Sequence, residues 1–119
     1  LFKAYFLDDV LVGFSTSFIN TTSFDANYVG LDYAYNEKFD IYQRILYDYV
    51  DEAIKARVTE LQFGRTSELI KSAVGALPVD MTIYIKHKRS LSNLILKNVI
   101  QSVKPSPFEL RKPFKANFK

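Results

Sequence analysis

Residues 39–57 carry the pattern that most constrains how this chain can fold. Tyr42, Ile45, Leu46, Tyr49, Val50, Ala53 and Ile54 recur at spacings of three and four. Asp40, Arg44, Asp48, Asp51, Glu52 and Lys55 take the opposite side. That periodicity predicts an amphipathic helix from Phe39 to Arg57 with one apolar face to bury. Lys55 and Arg57 fall in its last turn, where the helix dipole favours positive charge. A β-prone stretch, Tyr28–Tyr35, precedes it, and a short apolar run, Glu60–Gly64, follows. Strand, long helix and strand in that order make a right-handed crossover between parallel strands the default connection.

The remaining segments are arranged around this unit. Lys3–Leu7 and Val10–Asn20 read as two strands joined at Asp8-Asp9, a hairpin. In the second strand Val10, Val12, Phe14, Thr16 and Phe18 share one face, and Gly13 suggests a bulge or a close approach. Thr21–Asn27 is polar and reads as a loop, and a second loop is expected at Asn36–Lys38. Beyond Gly64, Thr66–Val74 forms a short helical pattern stopped at Gly75. Val79–His87 alternates Val79, Met81, Ile83 and Ile85 with polar neighbours, which predicts a fifth strand. Leu91–Val103 is a second amphipathic helix, ended by Pro105 and Pro107. The expected class is α/β (α+β), a mixed sheet with helices packed on it, in the order β-β-β-α-β-α-β-α. Residues 1–104 would make one domain and 105–119 an extended basic tail.

Composition removes several chemistries. There is no cysteine and a single histidine, His87, which excludes disulfides, thiolate zinc sites and a cysteine nucleophile. With four glycines in 119 residues, neither GxGxxG nor GxxxxGK[ST] occurs, and no metal-ligand spacing appears. No apolar run is long enough for a transmembrane helix. Charge is divided unevenly: residues 86–119 hold nine Lys or Arg against Glu109 alone, net +8, while residues 1–85 hold seven bases and twelve acids, net −5. A basic segment of this kind is either a solvated surface or a site for phosphate, nucleic acid or anionic lipid. The chain opens on Leu1 and its one methionine is Met81, so it reads as the C-terminal part of a longer protein.

The densest polar cluster lies where Glu60–Gly64 turns into the short helix: Gly64, Arg65, Thr66, Ser67, Glu68 and Lys71. A strand that ends at glycine and feeds a helix sets polar groups at the end of a sheet, where ligands of α/β folds bind. Thr66, Ser67 and the first N–H groups of the helix can hold an anion or oxyanion, and Arg65 can clamp a carboxylate or phosphate. A purely structural reading is equally open. In it Thr66 or Ser67 caps the helix, Glu68 completes the cap, and Lys71 is exposed.

Several stretches taken together resemble a known family. They are Gly30-Leu31-Asp32-Tyr33-Ala34-Tyr35-Asn36, Tyr42, Leu46-Tyr47-Asp48, Ala53-Ile54, Phe63-Gly64-Arg65-Thr66, Lys71, Gly75-Ala76 and Arg111-Lys112-Pro113-Phe114-Lys115. In this order they are similar to GNAT-superfamily acyltransferase-like proteins of bacteria, close to the Fem-type peptidoglycan aminoacyltransferase-like group. The resemblance covers residues 28–115. It implies a GNAT fold, of which this chain is the C-terminal lobe, and transfer of an acyl or aminoacyl group to an amine, such as a cell-envelope precursor. It implies acyl-CoA or aminoacyl-tRNA as donor, no metal, and a cytoplasmic protein that can lie against the inner membrane face. Arg65 and Lys71 become candidates for holding donor or acceptor or for stabilising the tetrahedral oxyanion. Glu68 becomes a candidate general base, and Gly64, Thr66 and Ser67 candidates for contacting the donor. One departure stands out. The Arg/Gln-x-x-Gly-x-Gly/Ala turn that holds the pyrophosphate of acetyl-CoA in GNAT enzymes is replaced by Tyr35-Asn36-Glu37-Lys38-Phe39-Asp40. The competing expectation is a non-catalytic GNAT-fold binding or assembly module. It would meet a partner or membrane surface through helix 91–103 with Lys104, Arg111, Lys112 and Lys115. Exposed strand edges also leave a homodimer open.

Overall fold

The structure, a computed structural model, describes residues 1–65, 67–102 and 108–115. Its elements are β1 (Phe2–Leu7), β2 (Val10–Ile19), β3 (Ser23–Leu31), α1 (Tyr33–Phe39), α2 (Ile41–Lys55), β4 (Glu60–Gln62), α3 (Glu68–Ala73) and α4 (Ser90–Ser102). The four strands form one mixed sheet in the order β1-β2-β3-β4. β1, β2 and β3 are antiparallel neighbours, and β4 runs parallel to β3 after the α2 crossover. The α+β class and the crossover expected around the long helix are therefore present.

Asp8 and Asp9 both adopt left-handed backbone, φ 47° and 66°. Two such residues between antiparallel strands make the mirror-type hairpin turn, whose twist matches that of the strands it joins. The ladder between β2 and β3 slips where Ser15 pairs with Val29 and Ser17 with Ala26, so β3 carries an extra residue. The bulged Tyr28 donates its N–H to Thr16 Oγ1 at 2.9 Å instead.

The core lies between the sheet and α2: Val12, Phe24, Ile41, Ile45, Leu46, Tyr49 and Ala53 are buried, Phe24 and Ile45 at 0% exposure. Tyr49 Oη donates to Thr16 O at 2.9 Å, which ties the helix to the sheet without leaving a buried hydroxyl unpaired. Of the β2 face its apolar spacing suggested, Val12 reaches this core but Phe14 and Phe18 do not. Ser15 and Ser17 are buried, whereas Phe14 and Phe18 are exposed.

Several boundaries move for physical reasons. The third strand is Ser23–Leu31, not Tyr28–Tyr35, because Phe24 and Ala26 supply an inward face inside a stretch that looks polar. Residues 33–39, expected as strand end and loop, form α1, with Asp32 Oδ1 accepting the Ala34 N–H at 2.9 Å as an N-cap. The long helix begins at Ile41 because Asp40 sits in left-handed backbone (φ 50°, ψ 42°) and separates it from α1. Asp48, expected on the solvated side of α2, is buried. Val79–His87 forms no strand: alternation allows a strand, but a ladder needs a partner edge, and none of the described residues pairs with it. The order observed is therefore β-β-β-α-α-β-α-α among the described residues. Thr66, the stop at Pro105 and Pro107, and the ends of the expected tail lie outside the described residues.

The chain divides into two compact units, Leu1–Ala76 with the segment from Leu110 on, and Leu77–Glu109. In the first, Arg111 N–H donates to Ser72 Oγ at 3.1 Å, and the Phe114 ring occupies the space a β-carbon on Gly75 would need.

Candidate functional site

β3 and β4 share only three rungs, Ser23–Glu60, Phe24–Leu61 and Asp25–Gln62. Beyond Asp25 the rest of β3 has no β4 partner, and its bulge follows directly. The ladder ends there. At this point Gly64 turns in left-handed backbone (φ 67°), lying so close to β3 that a β-carbon on it would sit 3.7 Å from Ala26 O. Asp25 Oδ2 accepts from Asn20 Nδ2 at 2.6 Å, while Asp25 Oδ1 is buried with no hydrogen-bond partner. A buried carboxylate oxygen without a donor is costly, so it marks a position suited to an ordered water or a bound cation.

The turn itself is built from the back. Lys71 is 8% exposed, and its Nζ donates to Arg65 O at 2.7 Å and Gly64 O at 3.3 Å. Burial pushes the Lys71 pKa below its usual value, with the Glu68 carboxylate acting in the opposite direction. The ammonium thus secures the turn, and the exposed-lysine reading is corrected. Ser67 precedes α3 in left-handed backbone (φ 58°), and its side chain makes no capping bond; its carbonyl accepts the Ile70 and Lys71 N–H groups. Gly75, at φ 92°, ends α3 as the glycine stop anticipated. Gly64, Arg65, Ser67 and Glu68 are exposed on the turn, so this group presents a guanidinium and a carboxylate to solvent over a fixed backbone.

The start of α2 has one of its N–H groups capped by a side chain. Asn36 Oδ1 accepts the Tyr42 N–H at 2.8 Å, and α1 stands directly before it. An anion would have to displace that cap and approach Asp40.

A second polar group escaped the sequence reading. A cavity of about 220 Å³ between the sheet and α2 is lined by Lys3, Tyr5, Ser15, Ser17, Asp48 and Glu52, among others. Lys3 Nζ lies 3.4 Å from Asp48 Oδ2 and 3.7 Å from Glu52 Oε1, and Arg44 Nε lies 3.3 Å from Asp48 Oδ1. Burial raises the Tyr5 phenol to about 12, opposed by its Ser15 hydrogen bond and helped by the Asp48 charge. Burial also pushes Tyr49 up. Asp48 lies three residues after Ile45 and one before Tyr49, at the margin of the apolar stripe, which was the only available clue.

Among the described residues no group of three or more His, Cys, Asp or Glu could hold a metal ion, and no helix is long and apolar enough to cross a membrane. No protein family, curated protein or solved structure matches the chain.

Proposed function

We propose that the chain belongs to an N-acyltransferase that passes an acyl or aminoacyl group to an amine. The observation that carries this reading is the end of the parallel ladder at Asp25–Gln62, with the turn at Gly64 set beside the bulge of β3. A strand edge whose backbone groups have no β4 partner can take an extended, amide-like donor by strand addition. Asp25 Oδ1, which has no donor, accepts a hydrogen bond from the N–H of the incoming neutral amine. Arg65 attracts the anionic part of donor or acceptor, and Glu68 takes the proton. Lys71 holds the Gly64–Arg65 carbonyls, so it is a positioning residue.

In the reaction the neutral amine attacks the acyl carbon, and the carbonyl oxygen becomes a tetrahedral oxyanion. Glu68 takes the amine proton, and collapse forms the amide as that proton is returned to the departing sulfur or ribose oxygen of the donor. The capped start of α2 favours aminoacyl-tRNA over acyl-CoA, since the latter would need that helix end for its pyrophosphate. A cytoplasmic location and a cell-envelope precursor as acceptor go with this donor.

Thermal stability of the full chain is the test, measured with acetyl-CoA, longer acyl-CoAs and aminoacyl-tRNA. A ligand that binds only the native state raises the midpoint by mass action. Aminoacyl-tRNA should raise it, and Arg65→Ala should abolish the rise while leaving the unliganded midpoint in place. A response to acyl-CoA alone would replace the donor assignment, and no response to any donor would end the transferase reading.

A further inference from the structure

We propose that residues 77–102 form a docking unit for an anionic phospholipid surface, with α4 lying in the membrane interface and the basic turn before it meeting the headgroups. The inference is independent of the transferase reading.

Among the described residues, this unit carries large apolar side chains that are exposed. Met81 is 76% exposed, Tyr84 93% and Leu94 67%. The extended arm and α4 do not seal against each other either. A cleft of about 540 Å³ lies between them, lined by Ile83, Ile85, Leu94, Leu96 and Ile100. Apolar surface on this scale marks a place where a protein meets something other than water.

Charge selects the occupant. The turn joining the two arms is Lys86-His87-Lys88-Arg89, and all four residues are exposed. It is fixed by two hydrogen bonds: His87 N–H donates to Asn93 Oδ1 at 3.1 Å, and Arg89 N–H donates to His87 Nδ1 at 3.0 Å. Three permanent positive charges therefore project from one end of an apolar unit. Residues 77–109 hold five Lys or Arg against Asp80 and Glu109, net +3. Protein-docking patches deplete charge, Lys in particular, relative to the rest of the surface. Apolar surface carrying the exposed bases Lys86, Lys88 and Arg89 at one end, with Asp80 the one acid in 77–102, matches an anionic bilayer, where acyl chains take the apolar groups and phosphates take the bases. Tyr84 fits the boundary, since an amphipathic ring favours the headgroup level. α4 spans thirteen residues, about 20 Å, against a hydrocarbon core of about 30 Å, so it lies along the membrane and does not cross it. Arg111 and Lys112 belong to the first unit, with which the segment from Leu110 on groups.

The test is sedimentation of the full chain with vesicles of pure phosphatidylcholine or of equal parts phosphatidylcholine and phosphatidylglycerol. The chain should bind the mixed vesicles, release them as salt is raised, and leave pure phosphatidylcholine unbound. Lys86→Gln, Lys88→Gln and Arg89→Gln together should weaken partition about 100-fold, about tenfold or less for each charge. Leu94→Ser with Met81→Ser keeps every charge and should also reduce binding. Both sets alter exposed side chains, so the far-ultraviolet spectrum and melting of the chain should stay unchanged. Equal binding to both vesicles, or to neither, overturns the proposal. So does a salt-insensitive dimer by sedimentation velocity that leaves vesicles unbound, because the apolar surface would then belong to a second copy.

Discussion

α2 and α4 are helices of fifteen and thirteen residues with comparable apolar periodicity, yet they end in opposite circumstances. The stripe of α2 is buried on the sheet, with Ile45 and Leu46 closed from solvent, whereas Leu91, Leu94 and Ile95 of α4 are exposed. Neighbouring strands account for the difference. α2 connects β3 to β4, and because those strands pair in parallel the connecting helix is laid across the sheet. α4 follows an extended arm that has no ladder, so no sheet is presented to it within its unit. Periodicity specifies that a helix has an apolar face; the topology on either side specifies what that face meets.

The contrast can be broken most directly by truncating one leucine in each helix. Leu46→Ala should cost about 2–5 kcal/mol in urea unfolding, the range for a core cavity. Leu94→Ala should stay within about 0.5 kcal/mol, as for exposed positions. Similar losses in both would mean that α4 has a packed partner. A smaller effect is expected at the turn after β4. Lys71→Met leaves the Gly64 and Arg65 carbonyls without their donor and should lower stability by about 1–3 kcal/mol. Arg65→Ala should leave stability unchanged, separating the residue that builds the turn from the residue the turn displays.

The carboxylate inside the first unit should matter less. Asp48→Asn removes the charge shared by Lys3 and Arg44, both substantially solvated, so about 1 kcal/mol or less is expected, shrinking as salt is added. A last effect is confined to alkaline pH. The Tyr5 phenol titrates at about 12 in the folded chain against 10.0 ordinarily. Between those values the folded state holds a proton the unfolded state has lost. Stability is therefore intact below pH 10 and declines as pH rises toward 12. Tyr5→Phe should flatten that decline in urea midpoints, and an unchanged slope would place the titrating group elsewhere.

How legible each part was depends on the range of the interaction that decides it. The Asp8-Asp9 hairpin, the helix around Ile45 and Tyr49, and the glycine stop at Gly75 are governed by residues within a few positions of one another, and all three could be read directly. The polar cluster at Gly64–Lys71 was legible as a cluster. The direction of Lys71 was not, since Nζ turns back to carbonyls six and seven residues earlier. Asp40 offered little warning of its left-handed break, because an aspartate before a helix usually acts through its side chain and this one makes no such bond.

By itself, then, the chain determined its α+β class, the hairpin, the crossover helix and the exclusion of cysteine and glycine-loop chemistry. These follow from local backbone preference and from the spacing of apolar residues. Tertiary structure decided that Phe24 and Ala26 make a strand of a polar-looking stretch and that Asp48 is buried against Lys3. It also decided that the β3–β4 ladder ends at Asp25, and that the alternating residues 79–87 find no ladder. Each of these depends on which distant segment lies alongside, and burial, pairing and strand register are properties of two segments at once.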